Sequence, residues 1–355
     1  MILGVWRYAY GGAKVMALRG RLLTPEDYHF LLRARDLGDF LAYLRTTAYG
    51  GALAGLEARS PDLEAEFARR VYAELASAFM KVGRGLKGRE RRFVGVLAQR
   101  LVAENLKVVL RALFQRLPPE RARRLLLPLG DLSPLDFEEL LGQESVPALV
   151  EHLAATHWGE PLKRALSRFI RERGLFPLEM SLDLWVYGQV WEGLQALSRP
   201  DRRVAAPLLG TMIDITNIVW AGRFRDIYGF GGEETYQYLI AGGGFQEPRP
   251  RRDLAFAGSA AEMVARLPRR PYGAWLAGVT EQAEVEARLA QHWIKTLERV
   301  SRRPPFQIGL PLTFLFLKEL EVQNLITLAT GKLLNMPGDQ LAPLLKLRGA
   351  GGGHV

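Results

Sequence analysis

One residue signature returns three times along the chain at nearly constant spacing, which restricts the fold to something built from three like units. The signature is a leucine, four residues, an aromatic, a glycine, and an apolar residue three further on. It appears as Leu44, Tyr49, Gly50 and Leu53, as Leu153, Trp158, Gly159 and Leu162, and as Leu267, Tyr272, Gly273 and Leu276, so the copies lie 109 and 114 residues apart. An amphipathic stretch precedes each one: FLAYL, ALVEHL and EMVARL. A second marker, Asn105-Leu106, Asn217-Ile218 and Asn324-Leu325, steps by 112 and 107 residues, so two independent features share one period.

Between the two markers lies a run with helical periodicity. Leu63, Phe67, Val71, Leu75 and Phe79 step by four, as one face of a helix requires. Leu182, Val186, Val190, Leu194 and Leu197 fill this place in the second copy, and Val285, Leu289, Trp293 and Leu297 in the third. Ser60-Pro61 reads as an N-cap followed by proline in the first turn. The unit is therefore a short helical tail, an amphipathic helix and a helix carrying the Asn-Leu pair. The predicted organisation is an N-terminal helix within 1–21, units at 22–116, 117–226 and 227–334, and a C-terminal tail at 335–355. The expected fold class is all-α, and the Gly/Pro clusters at 199–207, 241–250 and 301–305 read as loops between helices. Three such units can form a stack or a ring with a central hollow, and the residues alone leave both open.

Composition narrows the class of function. A hydrophobic content of 48% supports a large core, and net charge +10 favours an acidic partner: a protein, an anionic membrane surface or nucleic acid. With no cysteine, disulfides, thiolate metal sites and thiol nucleophiles are excluded, which fits a reducing cytoplasm. The opening MILGVWRYAYGG lacks the basic lead and apolar core of a signal peptide. Val204 to Gly222 is apolar but contains Pro207, Thr211, Asp214, Thr216 and Asn217, and Leu310 to Leu317 is too short to span a bilayer. Both read as buried core helices.

No catalytic constellation emerges. Gly229 to Gly232 and Gly242 to Gly244 lack the Gly-Lys-Ser/Thr ending of a phosphate loop, and Thr330-Gly331-Lys332-Leu333 lacks its earlier glycine. His29, His152, His157, His292 and His354 form no metal-ligand spacing, and no Gly-x-Ser-x-Gly elbow occurs. The pairs Glu138-Glu139 and Glu233-Glu234 sit beside turns and read as solvated charge. Lys81 to Arg92, Arg121 to Arg124 and Arg249 to Arg252 are basic, but aromatics for base stacking are not interleaved, so nucleic acid is not the expected partner. Asparagine is a mediocre helix former, so three of them inside helices need a reason. Either each makes a buried hydrogen bond that fixes a helix crossing, or the three line a shared hollow and touch a partner. The candidate socket residues are accordingly Asn105, Asn217 and Asn324, with the tail aromatics Tyr49, Trp158 and Tyr272.

These residues carry a family likeness. Glu104-Asn105-Leu106-Lys107 with Arg111, then Asp214, Asn217 and Arg223, then Glu321 with Asn324-Leu325, resemble the helices of the C subunit of the vacuolar/archaeal-type rotary ATPases, a relative of the d subunit of eukaryotic V-ATPases. Gly12-Ala13-Lys14-Val15, Arg19 and Leu22-Leu23 resemble that family's opening helix, and the likeness runs from about residue 8 to 345. The chain departs from the family pattern in having Gly12 for asparagine, Val102 for the acid before Asn105, and Thr330 for the arginine after Asn324. The resemblance implies a funnel of three pseudo-repeated units with approximate threefold symmetry, without catalytic residues, metal or cofactor, and with no small-molecule substrate. It implies a peripheral place on the cytoplasmic membrane face, with the central-axle subunits and the proteolipid rotor ring as partners. There the subunit would pass torque for ATP-coupled ion transport. A generic helical-repeat scaffold is the rival reading, and a basic nucleic-acid-binding protein a weaker one.

Overall fold

A computed structural model describes residues 2–58, 62–267, 269–302 and 307–347. Among the described residues every regular element is helical and no strand occurs. Seven of these helices have 18 residues or more: α1 (Ile2–Arg19), α2 (Leu63–Arg84), α3 (Gly88–Gln115), α4 (Phe176–Gln195), α5 (Arg199–Asp226), α6 (Gln282–Ser301) and α7 (Gly309–Leu333). Helices of fewer than 15 residues fill the connections, many with a side-chain cap. Asp36, Asp136, Ser145 and Ser259 each accept a backbone N–H of the first turn, and Thr24 with Asp27 makes a full capping box.

The long helices follow from their patterns, except that α5 takes in 199–207, read above as a loop: Pro200 sits in its first turn, where no N–H is needed, and Pro207 is carried inside it. In α2 the predicted stripe Leu63, Phe67, Val71, Leu75 and Phe79 is buried throughout, while Glu64 and Glu66 open the helix and Lys81 and Arg84 close it in the sense the helix dipole favours. Ser60 and Pro61 lie outside the described residues. In α4 the stripe runs from Leu182 to Leu194, and Leu197 stands just beyond the helix end at Gln195. The basic run Lys81 to Arg92 spans the tight turn between α2 and α3, as its reading as a solvated helix connection requires.

The chain divides into two compact units, one built from Met1–Val186 with Leu310–Lys346 and the other on Tyr187–Gly309. In the first, α2 packs along α3, and α1 meets α2 so closely that a Cβ on Gly11 would strike the Gly85 carbonyl. Arg100 on α3 forks onto Glu319 on α7, with bonds of 3.1 and 2.7 Å. In the second, α5 lies against α6 and the single turn Gly243–Phe245, around a core that includes Ile218, Phe245, Met263, Leu276, Val285 and Leu289. Among the described residues α5 alone is long and apolar enough to cross a membrane, yet Val204, Leu208, Leu209, Ile213 and Ile218 are packed inside this unit. That burial is what the reading of Val204 to Gly222 as a core helix demands. Leu310 to Leu317 is likewise buried, within α7.

The limits of these units differ from those of the sequence repeats. The reason is visible in the bonds that follow: the Asn-bearing helix of each copy is tied to elements beyond that copy.

Candidate functional site

Three helices, α3, α5 and α7, carry Asn105, Asn217 and Asn324, and all three side chains are buried. Each makes the same pair of bonds. Asn105 donates from Nδ2 to the Leu127 carbonyl (2.9 Å) and accepts at Oδ1 from the Leu127 N–H (2.7 Å). Asn217 holds Ile240 at 2.9 and 2.8 Å, and Asn324 holds Lys346 at 3.1 and 2.8 Å. A primary amide presents one donor and one acceptor side by side, so it can pair with the main chain of a single residue as a neighbouring strand would. Each bond pair pins the chain 22 or 23 residues downstream, at a residue outside any helix. In helical surroundings such a segment has no ladder partner, and the amide supplies one. Each of the three amides thus commits one N–H and its oxygen to a main-chain partner inside the protein.

The tail aromatics pair with positions three residues before the asparagines. Tyr49 donates its hydroxyl to Glu321 (2.8 Å), and Tyr272 donates to Asp214 (2.9 Å). Each acid also takes a backbone N–H from the start of a further segment: Glu321 from Leu23 at 2.5 Å, Asp214 from Gly244 at 2.7 Å. In the remaining copy both polar partners are replaced. Val102 stands at the acid position and Trp158 at the aromatic one, and both are completely buried. Trp158 instead packs on Trp185, with ring centres 4.7 Å apart.

Burial raises the Asp214 carboxyl from its ordinary 3.8 to about 6, against the lowering effect of the Tyr272 hydroxyl and the Gly244 N–H. Burial and the neighbouring carboxylates push the hydroxyls of Tyr49 and Tyr272 well above the usual phenol range. Both tyrosines therefore remain donors at any physiological pH.

The tail is itself stereotyped. Thr47 and Thr156, three residues after Leu44 and Leu153, each donate to that leucine's carbonyl at 2.7 Å and accept the aromatic's N–H at 3.2 Å. The next residue must be glycine for want of space. A Cβ on Gly50 would overlap the Arg45 carbonyl, and one on Gly159 would lie 2.6 Å from Ala154 Cα. Carbonyls on either side of the last signature residue are capped by arginine: Ala52 and Ala54 by Arg70, Trp275 and Ala277 by Arg288.

A third repeated contact lies six residues after each asparagine. Arg111 forks onto Glu179 (2.7 and 2.9 Å), and Arg223 onto Glu286 (3.0 and 2.6 Å). Thr330, which departs from the arginine pattern, still reaches the equivalent acid, donating to Glu64 at 2.9 Å. Lys107 adds an inner pair with Asp183 (2.6 Å) and Glu104 (2.9 Å). Burial works against the Lys107 charge, but the two carboxylates outweigh it and raise its pKa, while burial raises that of Asp183.

Sequence reasoning found the asparagines, the aromatics and the acids at 214 and 321, but not what they hold. Leu127, Ile240 and Lys346 share no side-chain type because only their main chain is bound, so no residue signal marks them. Some residues do carry a signal: Thr47 and Thr156 stand three residues after the signature leucine, and Glu64 and Glu286 one residue after Leu63 and Val285. The assembly is a set of latches. Among the described residues no group of three His, Asp or Glu side chains stands ready to hold a metal.

Comparison with known proteins agrees over nearly the whole length of these features. The family model described as "ATP synthase (C/AC39) subunit" matches residues 12–343. The C subunit of the A-type ATP synthase of Methanocaldococcus jannaschii is 24% identical over 97% of this chain and 88% of its own length. That of Thermococcus gammatolerans is 25% identical over 91% and 85%, and that of Pyrococcus horikoshii 23% identical over 92% and 87%. The family is a structural subunit of the rotary ATP synthase and not its catalytic one. With its three Asn helices, its latched tails and a match over most of its length, this chain belongs to the ATP synthase (C/AC39) subunit family.

Proposed function

We propose that this chain is the central-stalk adaptor of its ATP synthase, joining the axle to the proteolipid rotor ring and passing torque between them. It would do so as a peripheral protein on the cytoplasmic face of the membrane. The observation that carries this reading is the repetition of one latch set in three copies, with bonds that tie one copy to another. The tail of copy one is held by the helix of copy three, and that of copy three by the helix of copy two. In copy two the helix Val146–His152 packs on α3 of copy one.

A torque adaptor must resist shear, and doubly bonded buried latches resist it better than single surface contacts. The net charge of +10 suits contact with acidic protein surfaces or anionic headgroups at a membrane. A bridging assay tests the proposal. Purified chain is mixed with the detached ATP-hydrolysing head carrying its axle, and with membranes holding only the ring. Co-sedimentation of the head with the membranes is expected only when the chain is present. Binding to neither partner would overturn the proposal.

A further inference from the structure

Reading the three copies position by position exposes a missing charge. Six residues before the asparagine, three before it, and at the tail aromatic, the sets are Gln99, Val102 and Trp158, then Thr211, Asp214 and Tyr272, then Lys318, Glu321 and Tyr49. In the last set the Lys318 ammonium donates to the Tyr49 hydroxyl (2.8 Å) and to Glu321 (2.9 Å), and lies 4.1 Å from the centre of the Tyr49 ring. The first set buries no charge at all. The middle set keeps the carboxylate and the tyrosine but has threonine where the lysine would stand. Among the described residues no lysine, arginine or histidine is hydrogen-bonded to Asp214, whose two oxygens take the Gly244 N–H and the Tyr272 hydroxyl.

A cleft of about 430 Å³ opens at this point, wholly inside the second unit. Asp214, Tyr272 and Thr211 line one part of it, and Trp191, His292 and Thr296 another. We propose that this cleft binds a primary ammonium group, which takes the place that the Lys318 ammonium takes in the equivalent set. The group would donate to Asp214 and the Tyr272 oxygen and rest on the Tyr272 ring, as Lys318 does on Tyr49, with the Trp191 indole walling its alkyl stem.

The other charges at the cleft leave room for this. Arg299 lines the cleft beside Thr296, to which it donates at 3.1 Å, and Lys295 lies over the Trp275 ring at 4.4 Å. Burial, helped by Arg299 and Lys295, holds the His292 pKa below its ordinary value, so that ring is neutral at pH 7 and does not compete. The buried Asp214 carboxyl titrates near 6, so occupancy rises as pH passes upward through that value.

The same chemistry can come from a free amine or from a lysine of a neighbouring subunit. The test is thermal unfolding of the isolated chain in n-butylammonium, tetramethylammonium or sodium chloride at equal ionic strength. Butylammonium alone, which can donate hydrogen bonds, should raise Tm by about 2 °C at a tenfold excess over its Kd. Asp214→Asn should abolish the rise. Thr211→Lys, which builds the ammonium in, should raise Tm by itself and remove the response, while Lys318→Thr should lower Tm and create a second response. In the assembled synthase, a persisting response identifies a free amine as occupant, and its loss identifies a neighbour's lysine. Equal effects of the three salts on the isolated chain, or an undiminished response in Asp214→Asn, would overturn the site.

Discussion

Single side chains here do work that their burial makes costly to lose. Replacing Asn217 by leucine would strand the N–H and the carbonyl of Ile240 in a buried place, at about 2–4 kcal/mol for the two groups together. Urea unfolding should show that loss at Asn217 and a similar one at Asn105, whereas Arg123→Ala, at an exposed pair, should fall within about 0.5 kcal/mol of the parent. Asp214 gives a pH signature. Its folded pKa of about 6 lies above the ordinary 3.8, so the folded state holds the proton more tightly. Its contribution to stability is then largest below about pH 4, shrinks as pH rises toward 6, and is an unchanging penalty above that. Asp214→Asn should remove this slope and stabilise the chain at pH 7 by about 1–3 kcal/mol, since the amide can still accept from Gly244 and pair with Tyr272. Denaturant midpoints measured from pH 4 to 8 check both the slope and its loss.

At the scale of the element, the periodic features were legible and the bonds between them were not. The stripe from Leu63 to Phe79 announced α2 because a buried face needs apolar residues every three or four positions. The asparagines announced themselves as helix-interior residues in want of a reason, but their partners are main-chain groups, which leave no trace in residue identity. Val102 reads from sequence as a departure from the acidic pattern. A second departure, tryptophan for tyrosine at 158, stands at the equivalent aromatic position, and both residues are fully buried. This leads to a paired test. Val102→Asp alone should destabilise by about 3 kcal/mol or more, because it places a carboxylate at a fully buried position. Adding Trp158→Tyr supplies a hydroxyl donor and should recover a coupling of about 1–2 kcal/mol in a double-mutant cycle. Strictly additive losses would mean that the two positions do not face one another as Asp214 and Tyr272 do.

For the whole molecule, the Asn latch recurs in all three copies, and a family of structural ATP synthase subunits accounts for the chain from residue 12 to 343. Family membership was legible from the order and spacing of weak motifs, none of them decisive alone. The proposed role as the link between axle and ring separates two activities that are joined in the intact synthase. On that proposal, ATP hydrolysis by the head would not need the adaptor, but coupling to ion movement would. The most direct test measures ATP hydrolysis and ion transport side by side, in membranes with and without this chain. Hydrolysis by the head should persist without it while transport falls to background, and adding the purified chain should restore transport. Undiminished ion transport in its absence would contradict the account.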